Sequence, residues 1–220
     1  MGKRRAICAS LLSPCLLAVS LAVAFVPAGG RCQSAPSGLP PGVYAAEQDY
    51  KLALAGIYAL DADHAAVIAR VSHLGYSYSI FRFDRLSGTL TWDPANPSGS
   101  ALSAKVETAS IASNVKGFGE QLAGDDFLKA RAFPEATFVS SAFRQTGLRA
   151  GKVDGTFGLL GKTKPVTFDV ELVGAGKGLT GQPRIGITAR TTIDPVDFGL
   201  PPLLGPSIEI VADVEFVRTP

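Results

Sequence analysis

The two histidines of the sequence, His64 and His73, are the residues whose types most directly suggest chemistry. With Asp61 and Asp63 beside the first of them, they could bind a metal ion or act as an acid and base. Nine residues of extended strand, however, place the two imidazoles on opposite faces and about 30 Å apart. A shared metal would require a bend or bulge. A turn at 61–63 and histidines hydrogen-bonded near a rim explain the pattern with fewer assumptions, and a position beside a ligand head group is the functional alternative.

Other patterns that could support catalysis are incomplete. Nucleophilic catalysis needs a serine or cysteine within reach of a base, and no such motif stands out. Residues 117–122 (GFGEQL) lack the third glycine of a dinucleotide-binding loop. Asp125 and Asp126 are explained by capping of a helix, with metal binding as a minor alternative. We therefore predict no catalytic residue, no metal ligand and no enzyme.

The elements that must position these residues are short strands. In residues 67–72 (VIARVS) and 166–172 (VTFDVEL), apolar side chains at alternate positions share one face and polar side chains dominate the other. Similar segments follow one another from about residue 56 to the C-terminus, separated by Gly, Pro, Asn and Asp. This pattern is typical of an antiparallel all-β domain. Because many short strands leave exposed edges, closure into a barrel is the simplest arrangement.

One region departs from the alternation. Three apolar residues have the spacing of a helical face: Val115, Phe118 and Leu122. A second candidate segment follows in residues 125–133. We predict two short helices, with Asn114 and Asp125 as N-caps, before Pro134 prevents continuation. A tight connection is also predicted at residues 161–165, between two strongly patterned strands.

The N-terminus has the features of an export signal. A basic start (residues 3–5) precedes an apolar stretch over 6–26, and small residues follow at 28–30. We predict a signal peptide over 1–28, a linker or tail over 29–49 rich in Ser, Pro and Gly, and a domain over 50–220. The protein is then periplasmic or secreted. An uncleaved membrane anchor is the alternative, since the apolar stretch is near the lower length limit for spanning.

Cleavage of the signal would also change the number of cysteines and the net charge of the remaining chain. Cys8 and Cys15 fall within the predicted signal, so Cys32 alone remains and no internal disulfide can form. The formal charge of +2 falls close to neutrality once the three basic residues of the signal are removed. This near-neutral balance argues against nucleic acid or an anionic membrane surface as the main partner. Transient membrane contact and a homodimer stay open as expectations.

Several stretches are more specific than the alternation around them. They contain unusual pairs such as Asp61 with His64 and Phe133 with Pro134. Their order and spacing over roughly 56–217 resemble the YceI-like polyisoprenoid-binding family. The stretches that carry this resemblance are 56–77, 124–140, 153–174, 184–200 and the closing IEIVADVEF.

The resemblance implies an extended, lipocalin-like, antiparallel β-barrel of eight strands with a short helical insertion. It also implies non-catalytic binding, transport or storage of a long isoprenoid or similar apolar lipid inside the barrel, with no cofactor besides that lipid. One position departs from the family: Pro195 stands where a basic residue is usual before Asp197-Phe198-Gly199. Any head-group contact made by that basic residue is in doubt in this chain.

The candidate ligand-binding residues are the two histidines and the large aromatic side chains expected near the helical insertion. These aromatic side chains could make apolar contacts with a lipid chain at the barrel mouth. Periodicity alone equally allows an exported scaffold with a filled core, and a metal- or His-dependent hydrolase is the enzymatic alternative. The full set is His64, His73, Phe81, Phe83, Phe127, Phe133, Phe138 and Phe143.

Overall fold

The computed structural model describes residues 46–220, which form ten β-strands and one short α-helix. The predicted signal peptide over 1–28, Cys32 and most of the 29–49 segment lie outside the described residues. The strands are β1 (Gly56–His73), β2 (Ser77–Phe83), β3 (Leu86–Trp92), β4 (Ala101–Glu107), β5 (Ile111–Ala112), β6 (Glu135–Gln145), β7 (Ala150–Leu159), β8 (Lys162–Lys177), β9 (Pro183–Ile193) and β10 (Ile208–Arg218); α1 is Phe118–Ala123.

The strands close into a barrel because β10, at one end of the sheet, also pairs with β1. All the strand pairs are antiparallel. The ring runs β1-β10-β9-β8-β7-β6-β4-β3 and returns to β1. Strands β2 and β3 pair with the same flank of β1, β3 along its first part and β2 along its second, and the short β5 pairs with β2. Around the ring there are thus eight strands, which confirms the predicted eight-stranded barrel.

Strand β1 contains both histidines, and it is interrupted by a bulge. Its pairing with β10 goes from Leu60 opposite Phe216 to Ala65 opposite Val214, so three extra residues are accommodated on β1. The predicted turn at 61–63 is therefore a bulge within a continuous strand. A bulge leaves residues outside the ladder and re-aims their side chains, and this segment consequently projects its polar groups away from the core.

The helical region differs from the prediction. Gly117, with φ 77°, is the N-cap of α1 instead of Asn114. The second predicted helix, over residues 125–133, is wrong, because this segment forms turns. Its backbone N–H groups bond back to carbonyls of α1: Leu128 N–H to Leu122 O at 3.0 Å and Ala130 N–H to Ala123 O at 2.9 Å. The segment therefore folds over the C-terminus of α1 instead of extending its own helix.

The connection predicted at 161–165 lies slightly earlier in the chain. Leu160 and Gly161 form a two-residue turn between β7 and β8, with φ values of 52° and 72°. Positive φ at both positions is characteristic of the type I′ turn, whose twist matches that of an antiparallel hairpin. Residues 162–165 already belong to β8.

The apolar interior runs along the barrel between two ends. At what we call the α1 end lie α1, the β1–β2 turn and the 194–207 connection, around a core that includes Phe198. At the Trp92 end lie the 50–55 segment and the connections after β3, β6 and β8, around a core that includes Phe216. A third cluster around Phe138 joins the two.

In residues 46–220, no helix has the length and apolar character needed to cross a membrane.

Candidate functional site

The larger of two apolar cavities occupies the Trp92 end and the middle of the barrel. Its volume is about 220 Å³, which exceeds the roughly 150 Å³ of a dry apolar cavity known to admit benzene. The barrel interior is therefore not filled by side chains. Its walls are mainly the inward, apolar positions of the strands, among them Leu60, Leu90, Leu102, Val153, Phe168, Val170, Ile187, Ala189, Ala212 and Val214.

The smaller cavity, of about 110 Å³, lies at the α1 end. Leu122 of α1 and the turn residues Phe127 and Leu128 cover it on one side, and Leu200 and Leu204 of the 194–207 connection cover it on another. The helical insertion thus covers one end of the barrel interior, as expected from the sequence.

One layer of side chains lines both cavities where they adjoin. Phe157 is the largest member of this layer, and its ring meets that of Phe198 edge to face with centroids 5.3 Å apart. Because the same residues form a wall of both cavities, the two chambers lie in line along the barrel. The shared residues are Val67, Val106, Ala136, Phe157 and Ile210.

The predicted aromatic residues divide between the two cavities. Those that line the smaller cavity are Phe81, Phe83 and Phe127, whereas Phe138 and Phe143 line the larger one. Phe133 packs against the core of the α1 end but lines neither. The expectation of one aromatic cluster near the insertion therefore holds for only part of the set. The reason is that β6 runs away from the insertion, which carries its two phenylalanines into the middle of the barrel.

A bulge in β6 explains why both of its phenylalanines face inward. Phe138 and Phe143 are an odd number of residues apart, so strict alternation would place them on opposite faces. The β6–β7 pairing shifts by one residue between Ser140 and Ala142. This extra residue reverses the alternation, and both aromatic rings therefore contribute to the wall of the larger cavity.

Neither predicted histidine lines a cavity. The His64 side chain is 58% exposed, and its Nδ1 lies 3.0 Å from Oδ2 of Asp61. His73 is exposed at the last position of β1, at the α1 end. The structure does not bring the two imidazoles together. An arrangement in which both ligate one metal ion is therefore absent from the described part of the chain.

The bulge in β1 holds a polar cluster built around Arg184 of β9. Nη1 of Arg184 lies 2.7 Å from Oδ2 of Asp61 and 2.7 Å from Oε2 of Glu215. Asp61, His64 and Glu215 are close enough to hold a cation together, but the guanidinium already supplies positive charge to both carboxylates. Burial opposes ionisation of Asp61, yet hydrogen bonds from Arg184 and His64 outweigh it and lower the pKa of this carboxyl. The geometry is that of an ion-pair network on the barrel wall.

Four basic residues are among those that line the larger cavity, and each is paired with a carboxylate. The bond from Arg144 to Asp154 is bidentate, with both distances 2.7 Å. This arginine, together with Thr167, lowers the pKa of Asp154 to about 2. The four pairs are Lys105–Glu135, Arg144–Asp154, Arg149–Glu171 and Lys152–Asp169.

Sequence reasoning missed two residues of this site, Tyr50 and Trp92. Both line the larger cavity, and their rings meet edge to face with centroids 6.2 Å apart. Alternation along β3 could have placed Trp92 on the inward face together with Leu90, since the two are separated by two positions. Tyr50 lies in a short 3-10 turn before β1, where no strand pattern indicates its direction.

Pro195, the departure from the family pattern, is buried at the start of a 3-10 turn over Pro195–Phe198. Asp194 caps this turn by accepting a bond from Val196 N–H at 2.9 Å. Proline suits the first position of such a turn because its missing N–H would have had no partner there. The residue therefore has a local structural role at the α1 end, and it presents no polar group to a ligand.

Comparisons with known proteins agree with this architecture. The family model described as the YceI-like domain matches residues 58–216. The chain belongs to the YceI-like family. A UPF0312 protein of Pseudomonas putida strain W619 is 39% identical over 170 residues, which covers 76% of this YceI-like chain and 88% of the relative.

Two solved structures extend the comparison for this YceI-like protein. The Campylobacter jejuni YCEI protein is 27% identical, with a TM-score of 0.61, and the match covers 68% of this chain and 91% of that one. A polyisoprenoid-binding domain from Saccharophagus degradans, described as implicated in plant cell wall breakdown, is 17% identical with a TM-score of 0.56 and coverage of 77% and 100%. At that identity the second likeness shows the shared fold.

Proposed function

We propose that this YceI-like protein binds a long-chain isoprenoid or similar apolar lipid inside its barrel and carries or stores it without catalysis. The observation that supports this most strongly is the pair of in-line apolar cavities of about 220 and 110 Å³. An extended hydrocarbon matches two chambers that follow one axis better than a compact ligand does. The polyisoprenoid-binding domain from Saccharophagus degradans has a similar fold, which supports the same class of ligand.

The affinity would come mainly from apolar burial. Each Å² of apolar surface removed from water contributes about 25 cal/mol, so burying roughly 200 Å² contributes about 5 kcal/mol before the loss of chain freedom is subtracted. A long chain needs more room than either chamber offers alone. Binding would therefore involve small rearrangements of the side chains that separate them, of which Phe157 is the largest.

We also propose that the protein acts after export and cleavage of the predicted signal peptide over 1–28. Cell fractionation with N-terminal sequencing of the exported protein tests this. A new N-terminus near residue 29 in the exported fraction is expected. An intact N-terminus retained in the membrane would support the uncleaved anchor instead.

The direct test of lipid binding is to purify the mature protein, extract it with organic solvent and identify the extract by mass spectrometry. We expect an isoprenoid or another long-chain lipid in stoichiometric amount. The delipidated protein should then take up an added isoprenoid. Repeated absence of any lipid, together with no uptake, would contradict the proposal.

A matched pair of variants connects uptake to the cavity. Ala104 on β4 lines the larger cavity, whereas Ala101 on the same strand is exposed on the opposite face. Ala104→Phe places a phenyl ring inside the cavity and is expected to reduce lipid uptake at least tenfold. Ala101→Phe should bind as the wild type does. Circular dichroism of both variants confirms that the barrel is folded, since overpacking costs about 1–3 kcal/mol.

A further inference from the structure

The indole N–H of Trp92 lacks a hydrogen-bond partner. Trp92 is the single tryptophan of the sequence and the last residue of β3. Among the side chains of residues 46–220, its Nε1 is the one fully shielded polar atom for which no partner is present. A buried donor without a partner destabilises the fold, and nearly all such donors in native proteins are paired, so this unpaired N–H calls for an explanation.

The neighbouring side chains do not supply an acceptor. Around Trp92 the wall of the larger cavity is apolar, with Ala53, Leu90 and Leu102 in the same core cluster. Tyr50 is the exception, because it carries a hydroxyl group, but its ring meets the indole edge to face at 6.2 Å and an interplanar angle of 90°. The described residues around the indole therefore provide no acceptor for this N–H.

The charged residues at the same cavity point to an uncharged occupant. Four basic residues line the larger cavity, and each forms an ion pair with a carboxylate. No unpaired cationic side chain remains among the described residues of its lining. A phosphate or diphosphate head group would therefore have to displace an existing carboxylate, whereas a neutral oxygen acceptor needs only one donor. The four residues are Lys105, Arg144, Arg149 and Lys152.

We propose that Trp92 Nε1 donates a hydrogen bond to the bound lipid, and that this protein selects long-chain lipids with an uncharged carbonyl, ether or hydroxyl oxygen over phosphorylated ones. This inference rests on the proposed function and assigns the head-group class. Because Nε1 is shielded in this structure, the proposed bond requires side chains around the indole to rearrange when the lipid binds. The head group then lies at the Trp92 end, and the hydrocarbon extends toward the α1 end.

The test compares wild type with Trp92→Phe on three ligands that share one chain: geranylgeraniol, its diphosphate and the corresponding hydrocarbon. Displacement of a fluorescent lipid gives the affinities. For the wild type we expect the alcohol to bind about fivefold to tenfold more tightly than the hydrocarbon, which corresponds to one hydrogen bond. The diphosphate should bind no more tightly than the alcohol. Trp92→Phe should abolish the preference for the alcohol over the hydrocarbon.

A second variant distinguishes the loss of a ligand contact from a general loss of fold stability. The hydroxyl of Tyr58 already donates to Leu54 O at 2.6 Å, and Tyr58 does not line the cavity. Tyr58→Phe is therefore expected to lower stability while preserving the preference for the alcohol. Trp92→Phe is expected to unfold at the same temperature as the wild type within a few degrees, because the lost donor had no partner in the protein.

The outcomes distinguish this inference from the proposed function. If the wild type binds none of the three ligands, the proposed function itself fails. If all three bind but Trp92→Phe keeps the preference for the alcohol, the indole is not the donor and the assignment to Trp92 is overturned. Tightest binding of the diphosphate would overturn the head-group class.

Discussion

Arg184 and Asp61 are 123 residues apart in the sequence, and Nη1 of the first lies 2.7 Å from Oδ2 of the second. Replacing Arg184 by Gln would leave two partly buried carboxylates, Asp61 and Glu215, without their shared counter-charge. We expect Arg184→Gln to lower the free energy of unfolding by about 1–3 kcal/mol. Urea denaturation measures this change. As a control, Arg82→Gln removes an exposed ion pair with Asp84 and should cost less than about 1 kcal/mol; equal losses would contradict a special role for Arg184.

The carboxyl of Asp154 should titrate near pH 2, below its ordinary pKa of 3.8. A depressed pKa in the folded state means that the stabilisation is present above pH 3.8 and is lost as the pH falls toward 2. Carbonyl NMR of the titrating side chain measures the pKa directly. Arg144→Gln removes the main cause, so the pKa of Asp154 should move up toward 3.8. An unchanged midpoint in that variant would show that Arg144 is not responsible.

Leu74 at the β1–β2 turn combines two unfavourable features. Its side chain is 83% exposed, and its φ of 54° lies in the left-handed region, which asparagine tolerates better than leucine. We expect Leu74→Asn to leave stability unchanged or raise it by up to about 1 kcal/mol, measured by thermal unfolding. Leu179→Asn is the matched control, because Leu179 is 76% exposed without a positive φ. A clear loss of stability in Leu74→Asn would mean that the leucine makes contacts that stabilise the turn.

Phe157 forms part of the layer between the two cavities. We expect Phe157→Ala to join the chambers, to cost about 2–4 kcal/mol, and to shift the extracted lipids toward longer chains. Mass spectrometry of the extract and denaturant unfolding measure the two effects. Phe157→Leu retains most of the wall and should show a smaller loss and the original chain lengths. Identical extracts from the wild type and Phe157→Ala would indicate that this layer does not limit the ligand.

The histidines distinguish a binding protein from the hydrolase alternative. Both are exposed and neither lines a cavity, so we expect His64→Ala and His73→Ala to retain full lipid uptake. Metal analysis of the purified protein should find no stoichiometric transition metal. Loss of uptake in either variant would instead place an imidazole at the head group. Stoichiometric metal that disappears in His64→Ala would favour the cluster of Asp61, His64 and Glu215 as a metal site.

The amino-acid sequence by itself determined the strands and the family. Alternation in residues 67–72 and 166–172 depends only on neighbours two positions apart, and β1 and β8 contain these segments with the expected faces. The motifs over 56–217 indicated the YceI-like family, and with it the eight-stranded barrel. Local periodicity and short motifs are properties of consecutive residues, so a sequence displays them directly.

Only the tertiary structure decided which side chains surround the cavities and which polar groups have partners. The one-residue bulge in β6 turned Phe143 inward, and the larger bulge in β1 carried Asp61 to Arg184 on a distant strand. The unpaired N–H of Trp92 is likewise defined by what is absent from its surroundings among residues 46–220. Bulges, ion pairs and unsatisfied donors depend on pairing between strands that are remote in sequence, and no local pattern records that pairing.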